Sequence, residues 1–483
     1  MNTVLLADIG STFTKVVAID RATETLIGTA MAPTTVATDV RLGLRQAIAR
    51  LEETSGQRLR GAYTRVSSSA AGGLRMVAVG LVPSLTTQAA RFACLGAGAK
   101  VIHTCSYELS ADEVAEINRL QPELLLLVGG TDGGDRRTIL HNARALAGGL
   151  AISTAVLLAA NKSAAPEARA LLQKNPGLEV EITENVLPEL DRINLEPARE
   201  AIRGLFLRRI TRAKGIDRLQ EGEFAAEIVM PTPQAVLQGA ELLATGTATE
   251  SGLGDLIVLD IGGATTDVHS LGQGAGGGRL LKGLPEPFAK RTVEGDLGLR
   301  SNAATLLEVA GADRVAAETG LPAERLRRHV AWVSGAVDAV PRDDDEARLD
   351  AALAAAAGGL ALERHAGRIE RFLTPTGPVE VQYGKDLTAF ATLIGTGGVF
   401  ARGTQANSIL AAALRWSQAS PALTPREPTP LVDRDYLLFA AGLLRGVADD
   451  LAIRLLKSTL VPAEAAGSAA GTGQPAQREV REP

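Results

Sequence analysis

The chain has 483 residues, of which 46% are hydrophobic and 22% are charged, and its formal net charge is −5 at pH 7. Because a single hydrophobic core rarely grows past roughly 250–300 residues, this length predicts two or three globular domains. Aromatic residues make up only 3% of the chain. Together with the acidic balance, this argues against nucleic acid as a partner.

The predicted compartment is the cytoplasm. The chain starts with apolar residues that run into "ADIGST" without a basic region or a cleavage site, so a first strand is predicted rather than a signal peptide. No apolar run is long enough to span a bilayer, and no membrane partner is expected. Cys94 and Cys105 are interpreted as free thiols, because two are too few for a zinc site or an all-cysteine cluster within one chain.

The chain begins with a strand, a glycine turn and a second strand over residues 4–20, followed by a third strand in "TLIGTAMAP". Apolar residues at helical spacing predict a helix over 39–52. From about residue 66, five strands then alternate with helices. Ser84 is the predicted N-cap of one of these helices, and Ser110 with Glu113 is the predicted capping box of the next. This rhythm predicts a doubly wound α/β domain.

Two further helices, the second over 231–244, precede another strand, glycine turn and strand. Residues 292–372 are predicted to be mostly helical, 387–401 to be a strand entering a glycine turn, and 436–460 to be a helix or helix pair. Residues 463–483 have no hydrophobic stripe, which predicts disorder.

The organisation predicted is therefore an α/β fold in four parts. Residues 1–65 and 189–245 form a first subdomain, 66–188 an inserted doubly wound α/β domain, 246–462 a second subdomain, and 463–483 a disordered tail.

One motif occurs twice. "LLADIGSTFTKVV" and "LIVLDIGGATTDV" share the pattern D-I-G-x-x-x-T-x-V, with Asp8 matching Asp260. A glycine bend between strands leaves backbone N–H groups free to face an anion, so each segment is a candidate phosphate cradle. A single segment of this kind is more often an ordinary turn, but a second copy and a third glycine turn at 395–398 favour function.

The candidate site residues follow from this motif. Lys15 can reach a phosphate oxygen, Asp8 and Asp260 suit the water shell of a Mg²⁺ ion, and Asp267 can orient that shell or an attacking water. These four are the predicted catalytic residues. The predicted nucleotide-binding residues are Gly10, Ser11, Thr12, Thr14, Gly262, Gly263, Thr265, Thr266, Gly395, Thr396, Gly397 and Gly398.

Other motifs give weaker signals. The sequence contains neither a P-loop nor a G-x-G-x-x-G dinucleotide fingerprint. "VGGTDGG", with Asp132, follows the central strand of the inserted domain and is either a ligand loop or a plain glycine-rich loop. The five histidines are scattered without metal-ligand spacing.

The order of the segments resembles that of actin-like ATPases, in which two ribonuclease-H-like domains each donate a glycine hairpin to one nucleotide. The two D-I-G segments resemble the two phosphate motifs, "PTPQAVLQGAELL" and "DYLLFAAGLL" the two connecting helices, and "LIGTGGVF" the adenosine motif. The resemblance implies bound ATP with Mg²⁺, and the doubly wound domain inserted into this fold is predicted to be flavodoxin-like. One departure is Ala264, where relatives often carry a glycine.

A closer resemblance is to the MutL-type glutamate mutase accessory family, through "SSSAAGGLRMVAVGLVPSLT", "LLLLVGGTDGGDRRT" and "RTVEGDLGLRSNA". It implies an ATP-driven chaperone that reactivates a coenzyme-B12-dependent mutase, such as glutamate (methylaspartate) mutase or a related aminomutase, by releasing damaged cobalamin. The inserted domain lacks the D-x-H-x-x-G sequence of cobalamin-binding domains. We hypothesise that it docks to, or mimics, a mutase domain without ligating cobalt.

Three other functions stay open. A small-molecule kinase would need a catalytic carboxylate, for which Asp296 is a candidate, although a helix N-cap is the simpler interpretation. An iron–sulfur activator of a radical dehydratase could share a cluster across a dimer through Cys94 and Cys105, but both fall in the inserted domain. A binding-only pseudo-ATPase is kept open by Ala264.

Overall fold

The structure is a computed structural model that describes residues 3–10, 12–35, 39–59, 61–69, 74–210, 219, 224, 226–274, 279–375, 377–403 and 405–466. Its strands, in chain order, are β1 (Thr3–Ile9), β2 (Phe13–Asp20), β3 (Thr25–Pro33), β4 (Tyr63–Ser68), β5 (Arg75–Gly80), β6 (Lys100–Ser106), β7 (Leu124–Leu127), β8 (Thr154–Leu158), β9 (Leu178–Ile182), β10 (Ala226–Pro231), β11 (Leu256–Ile261), β12 (Thr266–Leu271), β13 (Leu280–Lys282), β14 (Ala289–Glu294), β15 (Arg368–Thr374), β16 (Gly377–Tyr383), β17 (Thr392–Thr396), β18 (Thr429–Asp433) and β19 (Leu460–Pro462).

A π-helical turn covers Pro83–Thr87. The α-helices are α1 (Val40–Ser55), α2 (Gln88–Gly96), α3 (Ala111–Leu120), α4 (Arg137–Gly149), α5 (Ala165–Leu172), α6 (Glu196–Ile210), α7 (Thr232–Thr245), α8 (Ala303–Ala310), α9 (Ala312–Thr319), α10 (Ala323–Gly335), α11 (Asp344–His365), α12 (Gly398–Arg402), α13 (Ala406–Gln418), α14 (Leu437–Leu444), α15 (Asp449–Thr459) and α16 (Ala463–Ala466).

Two sheets repeat one arrangement. In the first, of order β10-β4-β1-β2-β3, β1 pairs antiparallel with β2 and parallel with β4, which pairs parallel with β10. In the second, of order β14-β12-β11-β17-β18-β19, β11 pairs antiparallel with β12 and parallel with β17, which pairs parallel with β18. This repeat is that of two ribonuclease-H-like domains, so the predicted actin-like fold is confirmed.

The third sheet lies between β4 and β10 in the chain. Its five strands are all parallel in the order β6-β5-β7-β8-β9, which is the flavodoxin-like order predicted for the inserted domain. Its central strand, "LLLL", is buried throughout, as expected for a sheet covered on both faces. The predicted capping box of Ser110 and Glu113 opens α3. A small sheet of order β13-β16-β15 completes the fold.

The hydrophobic cores join these parts. The first sheet and one face of the inserted sheet share one core, which contains Leu5 and Leu126. A second core fills the other actin-like half. A third lies between the halves around α7 and α14, and it includes Leu237 and Leu438. The inserted domain is therefore packed directly on the first actin-like half.

The two actin-like halves are connected by α7 and α14, which cross at two glycines. A Cβ added at Gly239 would lie 2.0 Å from the carbonyl oxygen of Leu438, and one at Gly442 would lie 1.9 Å from that of Ala235. Only glycine allows backbones to approach this closely. The crossing is therefore a direct backbone contact between the two connecting helices.

Two cap assignments from the sequence are wrong. Ser84 lies inside the π-helical turn that precedes α2 and does not cap a helix. Asp296 is not an N-cap, because α8 begins after Asn302 and the Asp296 carboxylate pairs with Arg364 instead. The four-part division of the chain stays a prediction. Of the predicted tail, residues 463–466 form α16 and residues 467–483 lie outside the described residues.

Candidate functional site

The two D-I-G segments form matching hairpins. The Gly10 amide donates to the Phe13 carbonyl at 3.1 Å, and the Gly262 amide donates to the Thr265 carbonyl at 2.9 Å. In the first hairpin Asp8 pairs with Lys15 across the strands, and in the second Asp260 pairs with Asp267. The repeat thus places a cation in one hairpin where the other has a carboxylate.

Both hairpins open into one cleft of about 530 Å³ between the two actin-like halves. This volume lies within the usual range for ligand sites. The predicted site residues that line it are Asp8, Gly10, Thr12, Lys15, Asp260, Gly262, Gly263, Thr265, Asp267, Gly397 and Gly398. Ser11, also predicted, lies outside the described residues.

The charged groups of the first hairpin are fixed by both halves. Asp8 is buried, its carboxylate lies 3.3 Å from the Lys15 ammonium, and it accepts a hydrogen bond from the Thr232 hydroxyl at the start of α7. The Lys15 ammonium also lies 4.1 Å from the ring centroid of Tyr436, which precedes α14. Burial lowers the pKa of Lys15, but Asp8, Tyr436 and Asp260 together outweigh it and raise the pKa. Lys15 is therefore charged.

The second hairpin holds Asp267 through two partners. Its carboxylate pairs with the guanidinium of Arg291 on β14, with the Arg291 Nε atom at 2.7 Å. It also accepts a hydrogen bond from the Thr265 hydroxyl at 3.1 Å. Arg291 stands diagonally across the β12–β14 ladder from Asp267, which brings the long side chains within reach.

Asp260 differs from the other carboxylates in the cleft. Burial raises its pKa to about 7, Asp267 and Asp8 add to the rise, and Lys15 opposes it. Within the described residues no hydrogen bond or ion pair engages its side chain. A carboxylate among other carboxylates, without a partner of its own, fits a divalent cation.

The carboxylates of the cleft are suited to Mg²⁺ that keeps most of its water shell. The described residues contain no cluster of three or more His, Cys, Asp or Glu side chains that could hold a metal ion directly. Mg²⁺ usually keeps several waters and contacts one or two carboxylates together with substrate phosphates. Asp260, supported by Asp8 in the opposite hairpin, matches this requirement.

The third glycine turn packs against the second hairpin. Gly397 has a φ of 102°, and a Cβ there would lie 2.4 Å from the Ile261 carbonyl oxygen. The preceding Thr396 hydroxyl donates to Asp433 at 3.1 Å. Asp433 also accepts from the amide of Leu437, the first residue of α14, at 2.8 Å. The turn therefore links the cleft to a connecting helix.

Four predicted residues do not line the cleft. The Thr14 hydroxyl shares a hydrogen bond with Thr34 at 2.9 Å, and the Thr266 hydroxyl donates to the Leu297 carbonyl at 2.7 Å. Because side chains alternate along a strand, Thr14 faces away from the side that Lys15 occupies. Gly395 packs against the ring of Phe400, and Thr396 binds Asp433. All four residues therefore stabilise the turns without facing the cleft.

Ala264 does not distort its hairpin. It is absent from the described non-glycine residues with positive φ, so its methyl group causes no backbone strain. The backbone of Ala264 itself lies close to Gly298, where an added Cβ would lie 2.4 Å from the Ala264 carbonyl carbon. The substitution of alanine for glycine is thus accommodated within the second phosphate motif.

One part of the cleft lining is mainly apolar. It comprises Val337, Ala339, Val340 and Pro341, in the loop that connects α10 to α11, together with Ala347, Ala351, Val399 and Ile409. Arg300 holds this loop, donating to Asp350 at 2.6 Å and to the Ala339 carbonyl at 3.1 Å. Sequence reasoning missed Arg300, because no local motif signals contacts this distant in the chain.

The residues considered for a kinase, for a ligand loop in the inserted domain and for an iron–sulfur activator do not contribute to the cleft. Asp296 accepts from Arg364 at 2.8 and 2.9 Å. Asp132 accepts from Asn185 at 3.1 Å and from the Lys162 amide at 3.0 Å, which ties the glycine-rich loop to its own domain. Cys94 and Cys105 are buried, and burial raises the pKa of each thiol to about 12. Neither cysteine lines the cleft.

Two equivalent sheets, two crossed helices and one cleft shared by paired glycine hairpins define a protein of the actin-like fold. The family model described as "MutL protein" matches residues 4–460, and the chain belongs to this family. It is 42% identical over 464 residues to "Protein MutL" of Clostridium tetanomorphum, an alignment that covers 95% of this chain and 100% of that protein.

Solved structures are only distantly similar. A glycerol dehydratase reactivase shares 12% identity, with 92% of this chain and 99% of that chain covered and a TM-score of 0.33. The activator of the 2-hydroxyisocaproyl-CoA dehydratase from Clostridium difficile with bound ADPNP shares 9% identity over 95% of both chains, with a TM-score of 0.29. TM-scores this low assign no function to the chain.

No helix in the described part of the chain has the length and apolar character needed to cross a membrane.

Proposed function

We propose that the chain binds ATP with Mg²⁺ between its two hairpins and uses it to reactivate a coenzyme-B12-dependent mutase by releasing damaged cobalamin. The observation that carries the proposal is the convergence of two D-I-G hairpins from equivalent domains on one cleft, with Lys15 facing Asp260. A polyphosphate brings its negative charge to glycine-turn amides and a lysine. The apolar part of the cleft suits a nucleoside base.

Each residue at the phosphate end has a separate task in this proposal. The amides around Gly10 and Gly262 bind phosphate oxygens, and Lys15 neutralises part of their charge. Asp260 orients the water shell of the metal, which supplies charge stabilisation at the phosphates when bound. Asp267, held by Arg291 and Thr265, keeps a fixed carboxylate beside the terminal phosphate for orienting a water.

Coupling to a client rests on the two halves closing on the nucleotide. A ligand shifts a conformational equilibrium only by its differential affinity for the two states. A nucleotide that touches both hairpins favours the closed arrangement, and the glycine crossing of α7 and α14 lets the angle change. Support for a mutase as client comes from membership of the MutL family and from the resemblance to mutase accessory proteins.

The test uses a glutamate mutase inactivated with cyanocobalamin. We expect the full chain with Mg·ATP to release the bound cobalamin and restore mutase activity with added coenzyme, and we expect no release without ATP. Asp260→Asn should abolish release, because the neutral amide no longer orients a hydrated cation. Asp191→Asn, which changes an exposed aspartate, is the matched control and should behave as wild type. Release by the wild type without ATP, or undiminished release by Asp260→Asn, would contradict the proposal.

A further inference from the structure

The turn between α2 and β6 of the inserted domain reaches the nucleotide cleft. Gly98 and Lys100, near its end, both line the cleft together with Lys15, Gly10 and Gly262. The turn therefore places a third element, beside the two hairpins, at the cleft. We call residues 97–100 the insertion turn.

The insertion turn is clamped between the two actin-like halves. On one side a Cβ at Gly98, whose φ is 83°, would lie 2.9 Å from the Pro231 side chain and 3.1 Å from the Gln234 amide at the start of α7. On the other side Arg291 of β14 donates to the carbonyls of Leu95 at 3.2 Å and Ala99 at 3.0 Å. The turn thus touches each half where that half meets the cleft.

Arg291 connects this turn to the second phosphate hairpin. It is only 4% exposed, and the same guanidinium that binds the insertion turn pairs with Asp267. Its Nε and Nη2 atoms approach one Asp267 carboxylate oxygen, while its Nη1 atom donates to the carbonyls of Leu95 and Ala99. Any displacement of Asp267 is therefore passed to the backbone of the insertion turn.

Lys100 follows directly after the carbonyl of Ala99 that Arg291 holds. Its ammonium packs against Gly295, where an added Cβ would lie 2.9 Å from the Lys100 Nζ atom. In the described part of the chain Lys100 forms no ion pair. The carboxylate of nearby Asp296 pairs with Arg364, which lowers its pKa, and the charge of Lys100 adds to this effect. A cation that lines a cleft without an ion-pair partner is available to an anionic ligand.

We propose that Lys100 contacts the terminal phosphate of a nucleoside triphosphate, so that the inserted domain responds to whether the cleft holds ATP or ADP. The inference rests on the proposed function and adds a phosphate ligand from outside the two hairpins. With ATP, the terminal phosphate joins Lys100 to the hairpins and the insertion turn is held in place. With ADP this contact is lost, and the insertion turn keeps its contacts with Arg291 and α7.

The test measures ATP and ADP affinity of the full chain by titration calorimetry. For Lys100→Met we expect ATP affinity to fall by about 10- to 100-fold, the loss of a charge-assisted contact, with ADP affinity within about twofold. Lys174→Met, at an exposed lysine of the same domain, is the matched control and should change neither affinity. Equal losses for both nucleotides, or no loss, would overturn the inference. A wild-type chain that binds neither nucleotide would refute the proposed function itself.

Hydrogen exchange gives a readout that a purely structural role would not produce. In wild type we expect ATP to protect residues 88–106 more strongly than ADP does. Lys100→Met should abolish this difference without changing exchange in the nucleotide-free chain, and Lys100→Arg should restore part of it. Protection that is equal with ATP and ADP in wild type would also overturn the inference.

Discussion

The glycine crossing of α7 and α14 can be tested by one added methyl group. In Gly239→Ala the new Cβ would lie 2.0 Å from the Leu438 carbonyl oxygen, whereas an ordinary carbon–oxygen contact is roughly 3.3 Å. The helices must separate by about 1.3 Å, because the new Cβ is fixed rigidly to its backbone and the Leu438 oxygen is a backbone atom, so neither atom can rotate away. Overpacking of this kind costs about 1–3 kcal/mol, and the better helix propensity of alanine offsets about 1 kcal/mol. We expect the free energy of unfolding to fall by up to about 2 kcal/mol.

The assay is urea denaturation of the full chain, paired with nucleotide titration. The control is Gly204→Ala in α6, where the added Cβ meets only the Arg208 guanidinium at 3.5 Å. That variant should gain about 0.5–1 kcal/mol in the free energy of unfolding. Because Thr232 at the start of α7 binds Asp8 and Tyr436 before α14 lies against Lys15, Gly239→Ala should also weaken ATP binding, while Gly204→Ala should not.

Two results would refute this reasoning. A Gly239→Ala variant as stable as Gly204→Ala would show that the helices do not approach as closely as described. A destabilised variant with wild-type ATP affinity would show that the crossing does not set the distance between the hairpins.

Three further predictions concern single side chains. Because Asp260 has a pKa raised to about 7, calorimetry should find Mg·ATP binding strengthening as pH rises through about 7, and Asp260→Asn should lack this dependence. Ala264→Gly should change ATP affinity by less than about twofold and lower the melting temperature slightly, because it only adds backbone freedom to the unfolded chain. Burial lowers the pKa of Lys385 to about 7. Between about pH 7 and pH 10 the unfolded chain therefore binds one proton more than the folded chain, so the free energy of unfolding of the wild type should rise with pH over that range. Urea titrations of Lys385→Met should lack this rise.

The fold was predictable because its signals are local and repeated. The two D-I-G motifs, their spacing from a connecting helix and the unbroken apolar run of β7 are each visible within a few residues. Asp8, Lys15 and Asp260 could be proposed as site residues for the same reason. Each lies at a fixed position relative to a glycine bend.

The remaining site residues depend on contacts between distant segments. Arg291 is significant only because folding places the carbonyls of Leu95 and Ala99 beside β14. Lys100 could not be chosen from the sequence, since nothing near it resembles a phosphate motif. Thr14 and Thr266 were predicted as phosphate donors because they lie beside the glycine turns, but strand alternation turns their hydroxyls toward other partners.

Calorimetric titration of Mg·ATP can show directly whether the two hairpins bind one nucleotide together. We expect one site per chain, with affinity reduced at least about tenfold both by Lys15→Gln in the first hairpin and by Asp260→Asn in the second. Two independent sites, or a single site weakened by only one of these substitutions, would contradict joint binding by the two hairpins.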